Sequence, residues 1–259
     1  MLKFFRQFKL KLLGEEKTKK YIWYALGEII LIVIGILIAL QLENWNQELK
    51  SNTQEKRILN DLRIEFKNNL EGLNLVIKEK EGIIDICNLF LEKTGPNSKW
   101  DEELNFDSLL VKTVVSGWKF YPETGVLSEI LNSGKLELID NDSLRYILSS
   151  LPGNIDRLHY EDDMVINDLH NTYLPFLSKN YPIRNASKYE SGILSTSQRI
   201  MLKEIMNSEF SSPPAILLKK MEFENLINIQ LLWVSFSLHR YHIQKDIYQK
   251  ALEIINNEL

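Results

Sequence analysis

The segment Tyr21–Leu42 constrains this chain more than any other: 22 residues with one charged side chain, Glu28. As a helix rising 1.5 Å per residue it is about 33 Å long, close to the hydrocarbon thickness of a bilayer. Trp23 and Trp45 lie 22 positions apart, with Tyr21 and Tyr24 beside the first. That is the spacing of aromatic residues anchored at two membrane interfaces. Around Ala39-Leu40-Gln41-Leu42 there is no small-x-small pattern for signal cleavage, so the segment reads as a retained anchor.

Charge changes sign across it. Residues 1–20 hold seven basic residues against Glu15 and Glu16, a balance of +5, and the remaining 24 basic and 33 acidic residues carry −9. The positive-inside rule then places the N-terminus in the cytoplasm and everything beyond the span outside. The pattern gives a basic cytoplasmic or interfacial segment over 1–20, a transmembrane helix over 21–42, a helical stalk over 43–57 and an α-helical domain over 58–259. Phe4, Phe5, Phe8 and Leu12 fall on one side of the first thirteen residues with Lys3, Arg6 and Lys9 roughly opposite. This suits either a short interfacial helix or an unstructured basic tail.

Glu28 is expensive in lipid, by about 1–3 kcal/mol on insertion scales. The eleven Leu, Ile and Val residues between Ile29 and Leu42, at about −0.3 to −0.6 kcal/mol each, offset it. Ala25, Gly35 and Ala39 share its helical side, and Gly35-x-x-x-Ala39 lets backbones approach. We read Ala25, Glu28, Gly35 and Ala39 as a packing or partner-contact face. The alternatives are a Glu28 that snorkels to Lys19 or Lys20 at the inner surface and one that handles protons.

Beyond the span the pattern is helical throughout. Leu59, Leu62, Phe66, Leu73, Val76, Ile83, Cys87 and Phe90 recur at a/d spacing, with Lys80 interrupting the seam and Thr94-Gly95-Pro96-Asn97 ending it. Shorter helices are expected near 104–117, 123–133 and 140–151, and a longer one over 154–179 disturbed near Pro175. A Gly134 C-cap and a helix start at Asp140 or Asn141 divide Leu127–Arg145. Residues 180–197 read as a loop and 198–208 as a short helix. Ser211-Ser212-Pro213-Pro214 signals the start of a final helix running to about Asn256, whose uncharged middle, Leu226–Leu238, is too short to cross a bilayer and is expected to be buried. The fold class is all-α: one N-terminal transmembrane helix, a helical stalk and a periplasmic bundle with long first and last helices.

Catalytic chemistry finds no footing. One cysteine, Cys87, excludes disulfides within the chain and Cys-based zinc sites, and it reads as a buried thiol. Ser116-Gly117-Trp118-Lys119, Ser178-Lys179-Asn180 and Lys93-Thr94-Gly95 match penicillin-enzyme motifs in the wrong order. His239, His242 and Asp246 share a helix face but read as packed or solvated residues, not as metal ligands. Tyr160-Glu161-Asp162-Asp163 lacks the pattern of a calcium loop and reads as a solvated face. A net charge of −4 gives no reason to expect nucleic acid. We expect no cofactor and no enzyme activity. The partners are the lipid bilayer and either further copies of the chain or another membrane protein. The function is that of an oligomeric interaction or scaffold protein. The alternatives are an accessory subunit of a proton-driven complex using Glu28 and a ligand-sensing ectodomain acting through a partner.

The run from Tyr21 to Asn46, YIWYALGEIILIVIGILIALQLENWN, resembles the N-terminal signature of a family of single-span membrane proteins of unknown function from Bacteroidota. Leu127 to Arg145, LSEILNSGKLELIDNDSLR, is similar to that family's internal pattern. The resemblance implies a bacterial inner-membrane protein with a periplasmic domain. It implies no activity.

Overall fold

The computed structural model describes residues 16–114, 119–189, 205–210 and 212–259, with side-chain surroundings from Ile22 onward. The first thirteen residues, read as either an interfacial helix or a basic tail, lie outside them. Every regular element among the described residues is helical. These are α1 (Glu16–Lys93), α2 (Phe106–Val114), α3 (Gly125–Ser133), a 3-10 turn (Lys135–Leu138), α4 (Asp142–Asp168), a π-helical turn (Leu169–Tyr173), α5 (Leu174–Asn180), α6 (Ile183–Ser187), α7 (Pro214–Leu218) and α8 (Met221–Glu258). The chain divides into two compact units, one up to Arg57 and one from Ile58.

In the first unit, α1 carries the apolar stretch. Ile22–Leu42 is exposed throughout apart from a half-buried Ala25, and the polar residues that follow are mostly exposed as well. This helix is therefore long and apolar enough to cross a membrane, and its apolar stretch is unburied among the described residues.

The second unit is a bundle whose long members are α1 from Ile58, α4 and α8. Phe66 packs against Tyr248 with tilted rings whose centroids are 5.3 Å apart, and Phe90 against Phe223 at 5.9 Å. Rising numbers in α1 meet falling numbers in α8, so these two helices are antiparallel. Asn141 at the start of α4 donates to Glu258 at the end of α8, so α4 is antiparallel to α8 too. Packing collects into two cores. One holds Leu59, Leu62, Phe66 and Ile77 of α1, Leu144 to Leu158 of α4, and Tyr241 to Ile255 of α8. The other holds Ile83, Cys87 and Phe90 of α1, α2, Val165 and Leu169, and Phe223 to Val234 of α8.

Several boundaries differ from expectation. Pro152 does not end a helix. α4 runs through it, because Leu148 and Leu151 before it and Leu158 after it are buried on the same core. That packing outweighs the hydrogen bond a proline cannot donate. The disturbance expected near Pro175 takes the form of the π-turn just before it, where Leu174 N–H donates to the Leu169 carbonyl. The residues 183–187 expected in a loop form α6. The Pro213-Pro214 signal starts only α7, with Pro213 at the cap and no side-chain capping bond; Ser211 lies outside the described residues. α8 begins afresh after Lys220, whose backbone is extended. Of the helix expected over 198–208, residues 205–208 and 210 are without regular structure and Glu209 forms a bend; the rest lies outside the described residues. Gly134 does end α3, with φ of 75° that a side chain resists, and Asn141 caps α4 by accepting from Leu144 N–H at 3.0 Å.

Candidate functional site

Among the described residues, two places that set charge among apolar residues stand out. The first is the exposed stretch of α1. At 100° per residue, Ala25, Glu28, Gly35 and Ala39 fall within an arc of about 80°. A Cβ built on Gly35 meets nothing within 4 Å, so the backbone is open to close approach there. Trp23, Tyr24 and Trp45 are exposed; the side chain of Tyr21 lies outside the described residues.

The second is a buried layer between the two cores. Lys80 and Asp162 are 2% and 1% exposed. Lys80 Nζ donates to Asp162 Oδ1 at 2.9 Å, and Ser237 Oγ donates to the same oxygen at 2.7 Å. Tyr241 OH donates to Asp162 Oδ2 at 2.7 Å and accepts from Phe120 N–H at 2.9 Å. Lys80 also lies 4.8 Å from the centre of the Tyr241 ring. Its helical neighbours explain the position: Ile77 belongs to one core and Ile83 to the other, as do Leu158 and Val165 around Asp162, and Tyr241 and Val234 around Ser237. Burial, and then the charge of Asp162, holds the Tyr241 phenol well above its ordinary value.

These contacts overturn two readings. Lys80 is not a break in the apolar seam, and Asp162 is not on a solvated face. Each is the charged member of a stripe, and each finds the other. The sequence carries only half of that signal, a lone acid at core spacing in α4 and a lone base at core spacing in α1, groups that are buried almost only as pairs, with nothing to say that these two meet.

A second polar device fixes α3. No side chain of α3's own cap residue, Thr124, bonds its first turn. Glu65 of α1 does so instead, accepting from Val126 N–H at 2.6 Å and Leu127 N–H at 3.2 Å. One turn along, Asn69 exchanges two bonds with the backbone of Glu123, each of 2.7 Å. Burial raises the Glu65 carboxyl above its usual range, and these two N–H donors only partly oppose it. Gly72 then leaves room for Phe120, whose ring would stand 3.2 Å from a Cβ there. Deeper in the other core, Thr113 pairs with Tyr173 OH at 2.9 Å and its carbonyl accepts from Gln230 Nε2. Cys87 is buried, and burial pushes its thiol up to about 12.

Among the described residues no group of three or more His, Cys, Asp or Glu is placed to hold a metal. His242 instead faces Glu81 at 4.0 Å. Ser116, Gly117 and Trp118 lie outside the described residues.

Fold and sites together define an all-helical protein with one exposed span-length helix and a bundle held by a buried ion pair. The chain belongs to a family of unknown function, DUF6090, which matches residues 28–174. The match takes in Glu28, Gly35, Ala39, Glu65, Lys80 and Asp162 but stops short of Ser237 and Tyr241 on α8. No curated protein and no solved structure matches the chain.

Proposed function

We propose that this is a non-enzymatic interaction protein of the bacterial inner membrane, Bacteroidota in type, anchored by residues 21–42 with its bundle in the periplasm. It associates, with itself or with a partner span, through the side of α1 that carries Ala25, Glu28, Gly35 and Ala39. One observation carries the reading: a span-length apolar helix, unburied among the described residues, presents a carboxylate and a small-xxx-small pattern on one side. Lipid can cover the apolar residues but gives the carboxylate no donor, whereas a neighbouring helix can supply one. The charge asymmetry of +5 before the span and −9 after it supports the orientation.

The test is native mass spectrometry of the full-length protein released gently from its own membranes. The expected result is an integer multiple of 30.3 kDa that shifts toward monomer with Gly35→Leu or Ala39→Leu. Extra mass from a second polypeptide would identify a partner and redirect the reading toward a proton-driven or sensory complex. A monomer that retains nothing would overturn it.

A further inference from the structure

The uncharged middle of α8 is only half covered. Ile227, Gln230, Val234 and Ser237 are buried, but Ile229, Leu232, Phe236 and Ile243 are 37%, 49%, 55% and 37% exposed. Their spacings of 3, 4 and 7 put them on one stripe. At roughly 200 Å² per large side chain, they offer on the order of 350 Å². That is under half of the ~800 Å² per partner of a stable free-standing complex.

We propose that this stripe pairs with the same stripe of a second copy, the two α8 helices running parallel about a two-fold axis. Two observations select that occupant. The area is too small to hold a freely diffusing partner, but copies confined to one bilayer meet at a high effective concentration, where a small patch suffices. In this respect alone the inference rests on the membrane-anchored reading. The flanks of the stripe are also complementary. On one side stands Arg240, 3.6 Å from Glu161 of α4; on the other stands Glu81 of α1, 4.0 Å from His242 and so level with Arg240. A parallel two-fold brings unlike flanks together, setting Arg240 of each copy toward Glu81 of the other. An antiparallel pairing would set like flank against like.

Disulfide trapping in the full-length protein, within its native membranes, tests this. Cys87 is buried and protonated, so the background is silent. Ile229→Cys, Phe236→Cys and Ile243→Cys replace exposed side chains and leave both cores intact. Each should yield dimer at about ten times the level of Tyr146→Cys, an exposed control on α4, because each faces itself across the axis. Dimer from Phe236→Cys alone, with Ile229→Cys joining Ile243→Cys in mixed membranes, would show antiparallel pairing and overturn the proposal. Levels no higher than the control would overturn it as well. Gly35→Cys reads the span independently. Dimer there with a silent α8 stripe would sink this inference and leave the proposed function standing; dimer on α8 with a silent span would support this inference and assign the span to a partner helix instead of a second copy.

Discussion

Glu28 and Asp162 are both carboxylates on helices rich in Leu, Ile and Val, and the chain treats them in opposite ways. Asp162 is met by an ammonium and two hydroxyls drawn from α1 and α8. Glu28 stands exposed among exposed apolar residues. In the bundle the chain pays for a buried charge with its own donors; in the span, on the function proposed above, a neighbouring helix supplies the donor. One carboxylate therefore speaks of folding, and on that proposal the other speaks of assembly.

The largest effect that tests this contrast is Asp162→Ala. It leaves the Lys80 ammonium buried without its carboxylate and should cost about 3–5 kcal/mol, read as a lowered midpoint of thermal unfolding of the bundle. Replacing the pair together, Lys80→Met with Asp162→Leu, should recover most of that loss. An Asp162→Ala protein as stable as the parent would mean the layer is not closed to water. A smaller effect comes from alkali. The phenols of Tyr173, Tyr241 and Tyr248 are held above their ordinary value, chiefly by burial. The unfolded chain gives up these protons near pH 10 and the folded chain does not. Their contribution is therefore complete below that pH and is lost as pH rises past it. The urea midpoint should fall above pH 10, and fall less steeply in Tyr241→Phe. The smallest effect is expected of Glu28→Gln, which should leave bundle unfolding unchanged within about 0.5 kcal/mol while altering the native mass of the assembly. A bundle destabilised by Glu28→Gln would erase the distinction between the two sites.

The sequence made the helices easy to see because their apolar periods are long. It also placed the Gly134 stop and narrowed the cap of α4 to Asp140 or Asn141, where one residue's own geometry decides the outcome. It misled wherever tertiary packing decides. Pro152-Gly153 reads as punctuation, yet buried leucines on either side carry the helix through. Ser-Ser-Pro-Pro reads as the start of the last helix, yet the chain turns again at Lys219-Lys220 before α8 begins. Lys80 and Asp162 lie 82 positions apart, too far for either to announce the other. Glu65 capping α3 from 61 and 62 residues away is hidden for the same reason: a cap is sought beside its helix, and this one belongs to another.

The buried layer has a geometric consequence apart from its energy. Apolar side chains tolerate many alignments, so helices packed by leucine alone can slip along one another by a turn, about 5.4 Å, and still cover their oil. Asp162 cannot move that far and keep Lys80, Ser237 and Tyr241. It works as an index pin through three rods: α1, α4 and α8 share one axial alignment, and each of their other contacts is counted from it.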